Sequence, residues 1–267
     1  MSDPKLNETK PKLKALLFHD DLEFVTQGLQ LVESLSVSEK SFLEILKLFA
    51  GKKLPKRIRY DFLEKTFSTA EHSVYVALTF LGLLALHKDG SHIRKLILQI
   101  EGLSSLPSSI GHLTDLRVLR LYDGELRSLP DTIRNLRSLE ILIVNPDTLI
   151  SAECFLQSFP TSLEGLTQLR ELDLSGNEIK SLPETIGDFT KLTHLNLVGC
   201  DLSSIPEGFT NLENLLEVNL SHNNLTLLPK NLENLRQLQY LELVENSFSE
   251  MEKQRISEAL PDCDIRF

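Results

Sequence analysis

The chain has 267 residues, 41% of them hydrophobic and 25% charged, which is enough for a globular core and leaves room for one or two domains. Its net charge of -10 is unevenly placed: residues 1–91 carry 13 Lys and Arg against 12 Asp and Glu, whereas residues 92–267 carry 15 against 26. An acidic second part argues against nucleic acid as its ligand. It favours a basic or neutral partner, or it serves solubility alone.

The first residues are polar and hold no apolar run before a cleavage site, unlike a secretory signal peptide. The longest apolar run, Val74 to Leu86, is too short to cross a bilayer. We therefore expect a flexible N-terminus over residues 1–11 and a cytoplasmic protein without a membrane span. Export by a route that needs no N-terminal signal is the alternative. Three widely spaced cysteines without a CxxC pair argue against a zinc site or a disulfide framework.

Residues 12–91 have the periodicity of helices. Apolar residues recur there at steps of three and four, as in Leu22, Val25 and Leu29. Ser68-Thr-Ala-Glu71 has the form of a capping box before a longer apolar stretch. These features predict a small all-α domain whose role is to cap the region that follows, with a second interaction module as the alternative.

From residue 92 onward the sequence repeats. Apolar residues recur every 23 positions, except for one interval of 30, at Leu96, Leu119, Leu142, Leu172, Leu195, Val218 and Leu241. A fixed period of this length predicts a solenoid, in which each unit buries its apolar side against its neighbours. The longer interval predicts an insertion at residues 149–157 that bulges outside the sheet and leaves the strands in register.

The best-formed unit runs from Leu169 to Phe189. Leu172 and Leu174 alternate with polar residues, which is the period of a half-buried strand. Asn177 follows, and its side chain can bond the backbone of adjacent turns. The ladder position is filled by Asn177, Cys200, Asn223 and Asn246 in the last four units only. We therefore expect a continuous ladder from Asn177 onward, a buried Cys200 thiol, and looser or hydrated turns before it.

This pattern resembles the leucine-rich repeat, Leu-x-x-Leu-x-Leu-x-x-Asn/Cys-x-Leu. The 23-residue length and the Leu-Pro pairs, such as Leu182-Pro183, are similar to those of plant intracellular Ras-group and bacterial leucine-rich-repeat proteins, including those of Leptospira. The resemblance implies an α/β leucine-rich-repeat solenoid with a curved parallel sheet on the concave face. It also implies a bacterial protein. About seven repeats would occupy residues 92–248, preceded by the small all-α domain. A C-terminal cap over residues 249–267 would begin at the capping box Ser249–Glu252 and end in a last strand.

In such a solenoid, the residues beside the core leucines stack in columns on the concave face, on strands about 4.8 Å apart. The first column is Lys95, Val118, Ile141, Glu171, His194, Glu217 and Tyr240. The second column is Ile97, Arg120, Ile143, Asp173, Asn196, Asn219 and Glu242, with Tyr122 one step along. All of these except Lys95 are predicted to bind a partner.

The predicted face changes character along the chain. Toward the N-terminus it carries an exposed apolar patch of Ile97, Val118, Tyr122, Ile141 and Ile143, which marks an interaction site unless the helical domain or the insertion covers it. Toward the C-terminus it is acidic and polar. His194 should lie between Glu171 and Glu217, which favour its protonated form, and no metal site is predicted there.

No catalytic motif is present: the sequence contains no GxGxxG, Walker loop, HExxH or GxSxG. Cys263 lies between two aspartates, a setting that disfavours the thiolate. We predict a non-enzymatic scaffold that binds an unidentified protein partner on the concave face, as a monomer or with weak self-association and without cofactor or metal. The alternatives are a bacterial factor that binds host proteins, a self-associating structural protein and, last, an enzyme or enzyme regulator.

Overall fold

The structure is a computed structural model that describes residues 94–99, 105–124, 126–146 and 156–267. The predicted flexible N-terminus (1–11), the helical domain (12–91), most of the insertion (149–157) and Cys154 lie outside the described residues. The described residues fall into two compact units. Leu106–Thr114 belongs to the first, and Arg94–Ser105 with Asp115–Phe267 forms the second.

The described part of the first unit contains a short 3₁₀ helix, Ser108–His112, that begins after Pro107. The extended backbone of Pro107 leaves its carbonyl free to accept the first helical hydrogen bond, from the Ile110 N–H at 3.1 Å. The Leu113 N–H closes the helix on the Ile110 carbonyl at 3.0 Å. Ile110 and Leu113 are both buried.

The second unit is built on one sheet, in which the described residues form eight parallel strands in chain order. The strands are β1 (Lys95–Gln99), β2 (Val118–Gly124), β3 (Ile141–Pro146), β4 (Glu171–Asp173), β5 (His194–Asn196), β6 (Glu217–Asn219), β7 (Tyr240–Glu242) and β8 (Asp264–Arg266). Each strand pairs with the next along the chain, which confirms the predicted repeat fold. The last strand comes from the predicted C-terminal cap.

The repeat leucines lie opposite one another across the whole sheet. Leu142 pairs with Leu172 although 30 positions separate them, so the longer interval does not shift the register. The same position is occupied on neighbouring strands by buried residues that are at most 2% exposed: Leu96, Leu119, Leu142, Leu172, Leu195, Val218 and Leu241. They form the core side of the sheet.

Short 3₁₀ helices follow the Leu-Pro pairs in the second unit. They are Asp131–Asn135, Thr161–Leu163, Glu184–Asp188, Glu207–Asn211 and Leu232–Asn234. A proline precedes the first four directly, where its extended backbone sets the start of the helix. Consecutive helices approach closely at Gly208: a Cβ there would lie 2.2 Å from the Glu184 carbonyl oxygen, so only glycine fits.

The strands are long at the start of the sheet and short after it. β1, β2 and β3 have 5, 7 and 6 residues, whereas β4 to β8 have 3 each. In β4, β5 and β6 the last strand residue accepts a hydrogen bond on its side chain from the amide two residues on, at 2.9 to 3.2 Å. These residues are Asp173, Asn196 and Asn219. The bond turns the chain out of the strand.

The predicted ladder is confirmed. The Asn223 side chain accepts from the N–H groups of Cys200 and Leu202 at 3.1 and 2.9 Å, and donates to the carbonyls of Leu197 and Leu220 at 2.8 and 2.9 Å. Asn177 and Asn246 make the corresponding bonds in their own turns.

Cys200 occupies one position of the ladder, where its buried thiol donates to the Leu174 carbonyl at 3.2 Å. Burial is the main cause that raises the pKa of this thiol to about 12. The prediction of a buried thiol is therefore confirmed, and the group is inert at neutral pH.

The C-terminal cap begins with helix α1 (Glu250–Ala259), where the Ser249 hydroxyl accepts from the Glu252 N–H at 3.2 Å. The buried Glu252 carboxylate accepts from the Leu228 N–H at 2.9 Å and pairs with Arg255 at 2.7 Å. The hydrogen bond from Arg255 lowers the pKa of Glu252, and the Leu228 N–H adds to the effect. The cap is thus fixed to the preceding turn by a charge-assisted hydrogen bond.

Candidate partner-binding surface

The strand register aligns the predicted face residues in two columns. The first column runs through Lys95, Val118, Ile141, Glu171, His194, Glu217 and Tyr240, and the second runs through Ile97, Arg120, Ile143, Asp173, Asn196, Asn219 and Glu242. Strand β8 extends the two columns to Asp264 and Arg266. Both residues were missed as candidates, although Asp264-Ile265-Arg266 alternates and lies 24 positions beyond β7, close to the repeat length of 23. The columns lie on the side of the sheet opposite the buried leucines.

The apolar part of the face is less open than predicted. Ile97 is 44% exposed, and Val118, Ile141 and Tyr122 are half-buried, but Ile143 is only 6% exposed. The expectation that Ile143 belongs to an exposed patch is therefore wrong. Alternation along a strand fixes the direction of a side chain, but it does not tell whether other residues pack over it.

The second column is hydrogen-bonded within itself from β4 onward. Asp173 accepts from the Asn145 and Asn196 side-chain amides at 3.3 and 3.1 Å, in addition to the Ser175 amide. Glu242 accepts from the Asn219 amide at 2.5 Å and from Arg266 at 3.2 Å. The carboxylates of this column are thus already engaged by neighbouring side chains and backbone.

The first column is more open. Glu217 and Asp264 are exposed, and Tyr240 is 50% exposed. His194 lies between Glu171 and Glu217 in the register, as predicted, but its Nε2 contacts only Glu217, at 3.8 Å. Its Nδ1 lies 2.9 Å from the Thr193 hydroxyl. Within the described residues, Glu171, Tyr240 and Asp264 make no side-chain hydrogen bond or ion pair.

The two columns line a shallow cavity of about 390 Å³ between β4 and β8. Carboxylates, amides, the Tyr240 ring, the His194 imidazole and the Arg266 guanidinium face it, which suits the recognition of a polar chain. Cys263 is no candidate nucleophile, because partial burial and the charge of Asp264 raise its pKa to about 11.

The described residues contain neither a metal-binding cluster nor a membrane-spanning helix. In residues 94–99, 105–124, 126–146 and 156–267, no group of three or more His, Cys, Asp and Glu is arranged to hold a metal ion. No helix in this part of the chain has the length and apolarity needed to cross a membrane.

Comparison with known proteins supports the repeat assignment. Residues 157–261 match a family model described as a leucine-rich repeat region. No curated protein sequence matches the chain.

Three solved structures match the chain, at different identity, coverage and TM-score. An internalin of Listeria monocytogenes shares 21% identity and a TM-score of 0.53, covering 69% of this chain and 49% of its own. A plant peptide hormone receptor, solved in complex with RGF2, shares 22% identity and a TM-score of 0.55, covering 69% and 29%. A leucine-rich-repeat protein of Leptospira interrogans shares 24% identity over 70% of this chain and 74% of its own, with a TM-score of 0.36.

The chain spans about half of the internalin and less than a third of the receptor. At these identities, the two structures with the higher TM-scores support the fold alone. The 23-residue register, the asparagine ladder and the family match over residues 157–261 together support a leucine-rich-repeat fold for the described sheet.

Proposed function

We propose that the chain is a non-enzymatic interaction module that binds a protein partner on the sheet face, mainly across β4 to β8. The leucine-rich-repeat fold is in general a protein-interaction fold. The observation that carries the proposal is the first column, where Glu171, Tyr240 and Asp264 face a cavity of about 390 Å³ and make no side-chain hydrogen bond or ion pair with described residues. Such groups are available to a ligand without breaking the fold.

The burial of Ile143 shifts the proposed site away from β1 to β3. The predicted apolar patch loses one of its central members, whereas His194, Glu217, Tyr240 and Asp264 in the first column are exposed. The plant receptor is solved in complex with RGF2. We propose by analogy that this chain also forms a complex with a partner, which it holds on its repeats, with its own residues setting the specificity.

Site-specific photo-crosslinking tests this proposal. A benzoylphenylalanine in place of His194 lies on the face, whereas the same residue in place of the exposed Glu233 lies on a 3₁₀ helix away from it. In cells that express the full chain, we expect a discrete crosslinked protein from position 194 and none from position 233. Equal crosslinking at both positions, or none at either, would overturn the proposal.

The more specific predictions made from the sequence are still open. A bacterial origin, a cytoplasmic location and host proteins as partners remain predictions, and so does self-association. Light scattering of the purified protein at two concentrations separates self-association from a foreign partner, because only the first makes the mass depend on concentration. Hydrolase or ligase activity in the purified protein would revive the enzyme alternative.

A further inference from the structure

The charges on the polar half of the face are divided between the two columns. In the second column, Asp173 and Glu242 are each bonded to two neighbouring side chains. In the first column, Glu171 and Asp264 have no such bonds among the described residues, and Glu217 has one contact of 3.8 Å with His194. The negative charge that a ligand can use therefore lies in the first column.

The carboxylates of the first column have a regular spacing. Glu171, Glu217 and Asp264 occupy β4, β6 and β8, with His194 and Tyr240 on the strands between them. Neighbouring strands lie about 4.8 Å apart, so alternate strands place these carboxylates roughly 9.6 Å apart along the column. The three groups form a line that crosses the strands.

This spacing selects among extended peptide conformations. In a β-strand, side chains on one face repeat at about 6.8 Å, which does not match. In a polyproline II helix, every third residue lies on the same side, about 9.3 Å from the previous one. A segment in this conformation with a cation at every third position would place one cation opposite each free carboxylate.

Tyr240 adds a second feature that fits such a segment. Its ring is 50% exposed and lies between Glu217 and Asp264 in the column, on the wall of the cavity. An exposed aromatic ring packs well against the pyrrolidine rings of a polyproline II helix, and it also attracts Lys or Arg by cation–π interaction. Its hydroxyl is available for a backbone carbonyl of the ligand.

We propose that the first column binds a polyproline II segment of the partner protein that carries Lys or Arg at every third position, running across β4 to β8. The proposal rests on the proposed function and names the chemistry of its partner. It requires no movement of the second column, whose side chains stay bonded to the turns.

Fluorescence anisotropy with labelled peptides tests the spacing. The probes are four Lys-Pro-Pro units, a peptide of the same composition with its lysines in adjacent pairs, and four Glu-Pro-Pro units. We expect the first peptide to bind at least roughly fivefold more tightly than the second, and the third not to bind. Binding of the first should weaken at high salt, because exposed charge pairs are screened. Equal affinity for the two lysine peptides would overturn the proposed register.

Variants of the full chain locate the binding. Glu171→Gln, Glu217→Gln and Asp264→Asn should each raise the Kd about two- to fivefold, as expected for exposed ion pairs, and Tyr240→Ala should raise it by a similar factor. Glu213→Gln, which removes an exposed carboxylate away from the face, should leave the Kd unchanged. If Glu213→Gln raised the Kd as much as the column variants, the affinity would depend on the net charge of the protein alone, and the proposal would be overturned.

The outcome also separates this proposal from the broader one. Crosslinking at position 194 without binding of the Lys-Pro-Pro peptide would overturn the partner chemistry and leave the interaction face standing. Concentration-dependent mass that disappears in the triple variant Glu171→Gln, Glu217→Gln, Asp264→Asn would instead identify a second copy of the chain as the occupant. Failure of both crosslinking and peptide binding would remove the interaction face itself.

Discussion

Strands β1 to β3 and strands β4 to β8 share one register but end differently. The leucines pair across the whole sheet, so the core does not distinguish the two regions. The residue directly after the core leucine does distinguish them. It is Ile97, Arg120 or Ile143 in the long strands, and Asp173, Asn196 or Asn219 in β4, β5 and β6. In β4, β5 and β6 these side chains accept a backbone hydrogen bond from the residue two positions on, which turns the chain out of the strand.

This difference teaches how a repeat protein separates stability from binding. From β4 onward, the ladder side chains are hydrogen-bonded to the backbone. Side chains of the second column are hydrogen-bonded to their neighbours in the column. The first column is left open because the fold does not need it. Substitutions in the ladder, the second column and the first column should therefore differ in their effect on the free energy of unfolding. The following predictions run from the largest effect to the smallest.

The ladder should give the largest effect. Asn223→Ala leaves two buried N–H groups and three carbonyls without their side-chain partner, and should lower the free energy of unfolding by about 4 kcal/mol. Urea denaturation measures it. The neighbouring Asn224 is exposed, so Asn224→Ala should change the value by less than about 0.5 kcal/mol. Similar losses in both variants would show that the ladder adds nothing special.

The buried isoleucine of the second column should come next. Ile143→Ala should lower the free energy of unfolding by about 3 kcal/mol, because it opens a cavity where the side chain is 6% exposed. Ile97→Ala, in the same column but with 44% exposure, should cost less than about 1 kcal/mol. Thermal denaturation of the two variants checks the contrast. Equal costs would mean that the column is covered uniformly.

The charge-assisted hydrogen bonds of Glu252, in the predicted C-terminal cap, should contribute to the free energy of unfolding. Glu252→Gln should cost about 2 kcal/mol at neutral pH, since the carboxylate bonds to Leu228 and Arg255. The folded-state pKa of Glu252 is lowered, so its stabilisation is present above the unfolded-state pKa and is lost as the pH falls through the lower folded value. Urea denaturation across this range should show the two proteins converge in acid. A gap that persists in acid would contradict the assignment.

The turn after β5 should give the smallest effect on stability. Asn196→Ala removes one bond from the Val198 N–H and one to Asp173, and should cost about 1 kcal/mol. His194→Ala, two residues earlier in the first column, should cost less than about 0.5 kcal/mol because its contact with Glu217 is exposed. Urea denaturation distinguishes them. A larger loss for His194→Ala would reverse the roles of the two columns.

Much of the fold was predictable because it follows from periodicity. The period of 23, the unbroken register across the interval of 30, the ladder from Asn177 and the buried Cys200 could be derived from the spacing of apolar and ladder residues. The cap helix could be placed from Ser249 and Glu252. Each depends on interactions within one repeat or between neighbours, so local pattern suffices.

The candidate site was less predictable, for physical reasons. Pattern placed the columns but could not tell that Ile143 is buried, since the alternation of a strand does not report what packs over a side chain. It could not tell that the Asp173 carboxylate is engaged and that of Glu171 is free, since both are acidic residues of the same strand. Hydrogen bonding across strands depends on side-chain conformation, which the sequence pattern does not contain.

The division of the face is tested most directly by comparing the two sets of carboxylates in one binding measurement. The Kd of the Lys-Pro-Pro peptide is measured by fluorescence anisotropy for the triple variant Glu171→Gln, Glu217→Gln, Asp264→Asn and for the double variant Asp173→Asn, Glu242→Gln. Because Asp173 and Glu242 are already hydrogen-bonded to neighbouring side chains, we expect the triple variant to raise the Kd about tenfold or more and the double variant to raise it less than about twofold. Equal losses per charge removed in the two variants would contradict the account.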